Sequence, residues 1–303
     1  MNFRLNLTTL LCCLISQFTT PSTSAQVVPG MGTHLAEVGD DFEEPGWTWN
    51  ANDPKSSSNI DRQQRRPLGA SNNERWLESA YRGQPDLVKI VPTPEGGLAG
   101  SEHAMLLQTY FSAIPGRASS AEEANQDDLM LNVRNRLGGF QPVSRSPNCV
   151  VRVYLPPFDR WQQRPGAHFG LRADVVGVRN RKSEESWPGI FLQFHPARTQ
   201  RDGQAAASII LRGRESGDYL AKRFTETGWW TLGMSFTPDG RCHYYASPGV
   251  DDLTEADRIA SHFPYSFRIT RFNSFYFNIF NQDNGRSWST PFILDDPALY
   301  VIP

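Results

Sequence analysis

Residues 228–250 constrain the fold more than any other stretch of the chain, because they read as a β-hairpin with its turn in place. Trp230, Leu232, Met234 and Phe236 alternate with Trp229, Thr231, Gly233, Ser235 and Thr237. An aromatic-rich alternation of period two is the pattern of a half-buried strand. Thr237-Pro238-Asp239-Gly240 comes next. Proline sets φ for the second turn position, and Gly240 takes the positive φ that closes a hairpin. Residues 241–246 then return as a second strand, so the chain commits to antiparallel β-structure.

The N-terminus reads as a targeting segment. Arg4 precedes a largely apolar run over residues 5–18, and a polar stretch with Pro21 comes after it. Thr23-Ser24-Ala25 places small residues where a signal peptidase reads them, which predicts cleavage after Ala25. The apolar run is shorter than the roughly 20 residues needed to span a bilayer. A lipid anchor on Cys12 or Cys13 is disfavoured, because Leu11 and Cys12 precede them rather than small residues. The expectation is a protein that is secreted or held in the periplasm or cell envelope, with no membrane span in its mature form. Two cysteines then remain, Cys149 and Cys242. In an oxidising compartment they are a candidate disulfide, with a pair of buried thiols as the alternative. The formal net charge is -2 with signs interspersed. That gives no basic footprint for nucleic acid and no polybasic patch for a membrane.

Taken in order, residues 26–39 are expected to be a flexible lead-in and residues 40–303 a single domain. Strands are predicted around Trp76 and over residues 86–91, 104–111, 149–155, 168–178, 189–195, 207–212, 267–270 and 274–281. A last strand is expected over 290–294, over 298–302, or over both, broken at Pro297. Short helices are expected from Ser119 or Ser120 and over residues 251–262, the latter capped by Thr254 with Asp257 three positions on. Many short strands between Gly, Pro, Asn and Asp, with little helix, specify an all-β fold of two packed antiparallel sheets.

The residues that carry a resemblance are Asp40-Asp41-Phe42-Glu43, the hairpin with its Pro-Asp-Gly turn and Tyr244-Tyr245, and the closing Leu294-Asp295-Asp296-Pro297-Ala298-Leu299-Tyr300. Over residues 40–303 the chain resembles the concanavalin A-like lectin/glucanase domains, which are jelly-roll sandwiches, and within them secreted bacterial proteins of that fold. The resemblance implies carbohydrate as the partner, since lectins, sugar-binding modules, glycosidases and polysaccharide lyases share the fold. That is an implication at the level of fold. It also implies a structural calcium ion where the first and last strands pair, with Asp41, Glu43 and Asp295 as ligands; the alternative is no cofactor, the acids forming a solvated edge that discourages strand aggregation. Calcium prefers such hard oxygen donors.

A candidate ligand face arises from period two. Gln193 and His195 share one face of their strand, Tyr276 and Asn278 share one face of another, and Arg212 ends a third. These groups hydrogen-bond sugar hydroxyls, and arginine pairs with a uronate carboxylate. Gln193-Phe194-His195 also resembles the Gln-x-His strand of the alginate-lyase type of jelly roll. Tyr276-Phe277-Asn278 matches that family's Tyr-Phe-Lys strand only in part, because Asn278 stands for lysine, and its Arg-x-Glu-x-Arg strand is missing. The resemblance would make His195 and Tyr276 the proton-transfer pair. A retaining glycosidase needs two carboxylates about 5–5.5 Å apart, and no strand offers the required alternation of acids. Trp161, Trp187 and Trp288 lie in loops and are candidates to stack on sugar rings, with core packing or loop anchoring as the alternative for each; Trp187 joins the candidate ligand residues, whereas Trp47 and Trp230 read as core. The leading expectation is a non-catalytic glycan-binding or extracellular accessory domain. A polysaccharide lyase or hydrolase and a structural envelope protein are the alternatives.

Overall fold

The structure is a computed structural model that describes residues 26–112, 114–116 and 124–303. The expected signal peptide and the helix expected from Ser119 or Ser120 lie outside these residues. No helix among the described residues is long and apolar enough to cross a membrane.

In chain order the strands are β1 (Thr33–Gly39), β2 (Trp49–Asn50), β3 (Ala70–Ser71), β4 (Trp76–Glu78), β5 (Leu87–Pro92), β6 (His103–Gln108) and β7 (Asn125–Leu131). Next come β8 (Gln141–Pro142), β9 (Asn148–Leu155), β10 (Gly166–Arg179), β11 (Lys182–Ser186), β12 (Gly189–His195) and β13 (Ala206–Arg214). The last are β14 (Gly217–Phe224), β15 (Gly228–Phe236), β16 (Cys242–Pro248), β17 (Arg258–His262), β18 (Arg268–Asn281) and β19 (Phe292–Val301). They form the expected all-β, two-sheet antiparallel jelly-roll sandwich. One sheet runs β17-β16-β15-β9-β19-β6-β5, with β1 on β19. The other runs β14-β13-β12-β10-β18-β7-β4-β3-β2, with β11 on β10 and β8 on β18. Apolar faces meet between them: Val151, Val153, Leu232, Met234 and Phe236 from the first sheet, Phe169, Leu171, Ile190, Phe275 and Phe277 from the second, all fully buried.

The hairpin of residues 228–250 forms as read. The Gly240 amide donates to Thr237 O at 2.8 Å, and Gly240 has φ 86°. The outward face of β15 is buried as well, which explains the largest departure from expectation. Residues 26–39 are not a free lead-in. The Ser235 hydroxyl donates to Val27 O at 2.6 Å, the Gly30 amide donates to Asn148 Oδ1 at 2.8 Å, and Val28 packs with Tyr245 and Leu253. Gly233 makes room for this, since a Cβ there would stand 2.6 Å from Pro29 Cβ. The chain then pairs as β1 with β19, Thr33 opposite Val301, so the first and last strands do meet.

Asp40 anchors the segment just after β1. Its Oδ2 accepts from the indole N–H groups of Trp47 at 3.0 Å and Trp76 at 2.9 Å and from Asn73 Nδ2 at 3.0 Å, while Oδ1 accepts from the Phe42 amide at 3.1 Å. Phe42 adopts φ 62° and lays its ring on Trp76, centroids 5.9 Å apart. The Asp-Asp-Phe sequence is thus a device for seating two tryptophans beneath the sheet.

Two other expectations change, and the choice between a disulfide and a pair of buried thiols is decided. The capping box at Thr254 and Asp257 is present but opens only the single turn Glu255–Asp257, because residues 258–262 pair instead with the open edge of β16. The closing strand is one strand, bulged between Asp295 and Ala298, with Asp296 at φ 46°. The bulge is where Pro297 fits without breaking a ladder. Cys149 and Cys242 are free and buried. β15 lies between their strands, with Met234 opposite Cys149 and Phe236 opposite Cys242. Two strand spacings, about 10 Å, exceed the roughly 7 Å limit between bridged Cα atoms. Burial pushes the Cys149 thiol up to about 12.

Two measurements check these contacts. Asp40→Ala strands two indole donors at a buried site, and should lower stability by about 3 kcal/mol in denaturant titration; a loss below about 1 kcal/mol would contradict the anchoring role. In the chain from residue 26 onward, a thiol reagent should label neither cysteine when folded and both when unfolded without reductant. Labelling that requires reductant would restore the disulfide.

Candidate functional site

Register places the predicted ligand residues on one face. Arg172 of β10 stands opposite Tyr276 of β18 on one side and Gly189 of β12 on the other, and Gly189 stands opposite Arg212 of β13. Two residues along, the row is Ile210, Phe191, Gly170, Asn278 and Asp128. Gln193 is next on β12, opposite Ser208. This is the face of the second sheet turned away from the core. Three adjoining cavities of about 350, 370 and 590 Å³ lie over it and share Arg212. Together they form an open groove.

Arg172 sits at the floor. It is 5% exposed, with Cζ 5.7 Å from the centre of the Phe191 ring and 5.2 Å from that of Tyr276. Its Nε is buried without a hydrogen-bond partner. Among the described residues no carboxylate pairs with it. Burial lowers its pKa, partly offset by the nearby Tyr276 and Asp128. Two glycines make the space. A Cβ on Gly170 would meet Asn278 Oδ1 at 2.8 Å and the Phe191 ring at 2.9 Å, and one on Gly189 would meet Arg172 Cγ at 2.6 Å.

Around this floor, Trp187, Arg212 and Tyr276 line the largest of the three cavities with Asp128, Asp174 and Glu185. Gln193 lines the smallest with Arg212 and Phe191. Arg212 is held by Asp218, Nη2 to Oδ2 3.1 Å. Burial lowers the Arg212 pKa, but the Asp218 hydrogen bond and charge outweigh it and the net shift is upward. Tyr276 is buried, and desolvation drives its phenol far above its ordinary range, so it acts as a hydroxyl donor. Asn278 Nδ2 donates to Asp128 Oδ1 at 2.6 Å, and Asn278 Oδ1 is unpartnered. Asp174 is pushed up to about 6 by burial, opposed by an Asn273 hydrogen bond and aided by the charge of Glu185.

His195 is on the same face but apart from this set. It lies six residues along β12 from Gly189, which is in the Tyr276 row; at roughly 3.3 Å per residue that is about 20 Å. Its Nε2 lies 2.8 Å from Ser208 Oγ, and burial, then the Arg223 charge, lowers its pKa. His195 and Tyr276 therefore do not share a proton-transfer site. Trp161 is not a surface residue: it is 2% exposed and packs against Phe158, His168, Phe194 and Phe292. Trp187 and Trp288 are exposed, 44% and 46%.

The expected calcium ligands do not form one cluster. Asp295 is buried on β19 with Oδ2 unpartnered and is pushed up to about 6 by burial, opposed by a Ser101 hydrogen bond and reinforced by Asp296 and Glu43. Asp41 is exposed and accepts from the Glu43 amide at 3.2 Å. Glu43 pairs with His103, Oε2 to Nδ1 2.8 Å, and accepts the amides of Glu102 and His103 on Oε1 at 2.7 and 2.8 Å. Among the described residues, the donors that gather within 4.8 Å are those of Glu43, Glu102 and His103. Calcium takes roughly six to eight oxygens, which a set of three that includes an imidazole does not match.

Sequence patterning does not single out Arg172, Asp174, Asp128 or Phe191. The signal that could have found the first two is Arg172-Ala173-Asp174, a pair of charged side chains on one face of an otherwise apolar central strand.

No family model matches the chain, and no curated relative matches it. Solved structures similar to it include a carbohydrate esterase from the Shiga toxin-encoding bacteriophage phi24B, at 10% identity and TM-score 0.44, covering 82% of this chain and 97% of that one. An alginate lyase from Pseudomonas aeruginosa is similar at 11% identity and TM-score 0.42, covering 84% and 98%. The exoplasmic/lumenal domain of VIP36, in its Ca2+/Man3GlcNAc-bound form, is similar at 10% identity and TM-score 0.37, covering 76% and 85%. The fold assignment rests on the strand order and register above.

Proposed function

We propose that the protein binds an acidic polysaccharide along the groove, with a uronate carboxylate seated on Arg172 and no covalent chemistry. The observation that carries this reading is the Arg172 guanidinium itself. It is buried between two rings at the bottom of an open groove, with an unpartnered Nε. A planar fork of donors matches a carboxylate. Trp187 at the rim offers a ring for a sugar to stack on, and Gln193 and Tyr276 offer amide and hydroxyl partners; Asn278, expected among them, is fully buried and lines none of the cavities. Secretion through the segment ending at Ala25 would bring the protein to such a polymer.

A second reading is enzymatic. Asp128, Asp174 and Glu185 line one cavity, and a carboxyl held near 6 is suited to general acid work at mild pH. It is distinguished by products: release of reducing or unsaturated ends that is lost in Asp174→Asn. A structural envelope role predicts neither product nor retention.

Affinity electrophoresis through polyuronate and through neutral glucan tests the binding reading. The protein should be retarded by the polyuronate alone. Arg172→Ala should weaken that retardation at least tenfold, as expected for losing a charged hydrogen-bonding pair, and Trp187→Ala should weaken it less. Equal retardation in neutral glucan would overturn the reading.

Binding should also depend on pH. Above about 6 Asp174 is ionised and repels a carboxylate brought to Arg172; below it the repulsion goes while a uronate stays charged. Affinity should therefore rise about fivefold between pH 7.5 and 5, and Asp174→Asn should remove that dependence. An unchanged slope in the variant would separate Asp174 from the site.

A further inference from the structure

Next to the groove, and sharing Glu215 with one of its cavities, the edges of the two sheets border a cavity of about 760 Å³ between the β13–β14 turn, the start of β18 and the hairpin turn. Its lining holds three arginines, Arg214, Arg241 and Arg268, against one acid, Glu215. In a chain of net charge -2 this is a concentrated positive site. Each guanidinium is positioned by an aromatic ring. Arg241 Cζ lies 4.3 Å and Arg268 Cζ 5.3 Å from the Phe263 centroid, and Arg214 Cζ lies 4.8 Å from that of Tyr219. Arg241 is neutralised by Asp239, Nε to Oδ2 3.1 Å. Among the described residues Arg214 and Arg268 have no carboxylate partner.

His262 reports the local field. Burial, then the charges of Arg214 and Arg241, lower its pKa, so it lines the cavity as a neutral ring. Its Nε2 lies 2.7 Å from the Tyr219 hydroxyl; a hydroxyl that donates to Nε2 leaves the proton on Nδ1 as a further donor. The wall beside it is the turn Pro264–Ser266, where Tyr265 and Ser266 hold φ 49° and 65°. Such backbone costs energy and persists where surrounding contacts fix it.

Like charges around one cavity repel, and an anion relieves that repulsion. Guanidinium forks approaching from several sides suit a tetrahedral oxyanion, and the volume is that of a site for a small organic molecule rather than a bare ion. We propose that this pocket binds a sulfate or phosphate monoester carried on a sugar-sized group, with Arg214 and Arg268 as its principal partners. The pocket adjoins the groove through Glu215, but Arg214 and Arg268 are not among the groove's lining residues.

Calorimetry at constant ionic strength tests it with glucose 6-sulfate and glucose 6-phosphate, and with glucose and inorganic sulfate for comparison. Both the charge and the sugar should count: at least one ester binds, more tightly than inorganic sulfate, and glucose does not bind. Preference between the two esters names the source of the oxyanion. Arg214→Ala and Arg268→Ala, both at exposed positions, should each weaken ester binding about tenfold or more. Arg201→Ala, which removes a charge from a distant loop, should not. In the unmodified protein the His262 ring should titrate at higher pH once glucose 6-sulfate is added, a readout that needs no variant. Failure of both esters to bind, binding that survives both arginine changes, or an equal loss in Arg201→Ala would overturn the proposal.

Discussion

The pairing of β10 with β18 is the constraint on which the rest depends. The two strands run together from Phe169 opposite Ile279 to Val178 opposite Arg268. Because side chains alternate, each residue committed to the core fixes its neighbour on the groove. Phe169, Leu171 and Ala173 face inward and are fully buried, so Gly170, Arg172 and Asp174 face out. On β18, Phe275, Phe277 and Ile279 fill the core, so Tyr276, Asn278 and Phe280 take the other face. A slip of one residue would bury an arginine and an aspartate in the sandwich and expose a row of aromatics. The same hydrophobic burial that stabilises the fold therefore holds the candidate site in register.

Within that register, Arg172 is the feature with the highest energetic stake. Removing a guanidinium from water without a counter-ion costs several kcal/mol, and each cation–π contact returns about 2 kcal/mol at most when desolvated. Phe191 and Tyr276 offset part of the cost, and the neighbouring Asp128 contributes at longer range. What remains unmet is a hydrogen-bonding fork of fixed orientation. Arg212 differs, since Asp218 already pairs with it. In the proposed binding mode the two arginines divide the work: Arg212, held by Asp218, shapes the groove, and Arg172 takes the ligand anion. The arginine-lined pocket at the sheet edges repeats the theme with exposed side chains and a larger cavity.

The architecture is legible in the sequence because strand alternation and turn chemistry are local. The hairpin at Trp230, the Pro-Asp-Gly turn, and the pairing of Gln193 with His195 and of Tyr276 with Asn278 on one face of each strand are readable from local pattern alone, whereas register brings those faces together. The features that stay hidden are non-local. Residues 26–39 lack a strong pattern, and only the finished sheet shows that they cover Ser235 and Tyr245. The Thr254 box is a genuine cap, yet the open edge of β16 outcompetes the helix it starts. Cys149 and Cys242 look pairable until β15 is placed between them. His195 lies on the right face but too far along the strand to act with Tyr276. The alternation Arg172-Ala173-Asp174 marks two charges on the outward face of an otherwise apolar strand, but only the finished sheet shows that Phe191 and Tyr276 bury Arg172 there.

A crystal structure with a short uronate oligomer tests most directly whether the groove seats a carboxylate on Arg172. A carboxylate is predicted within about 3.2 Å of the Arg172 guanidinium nitrogens, with a sugar ring against Trp187 and no other change at the groove floor. An oligomer bound elsewhere, or one that lies in the groove with its carboxylates turned to solvent, would contradict it.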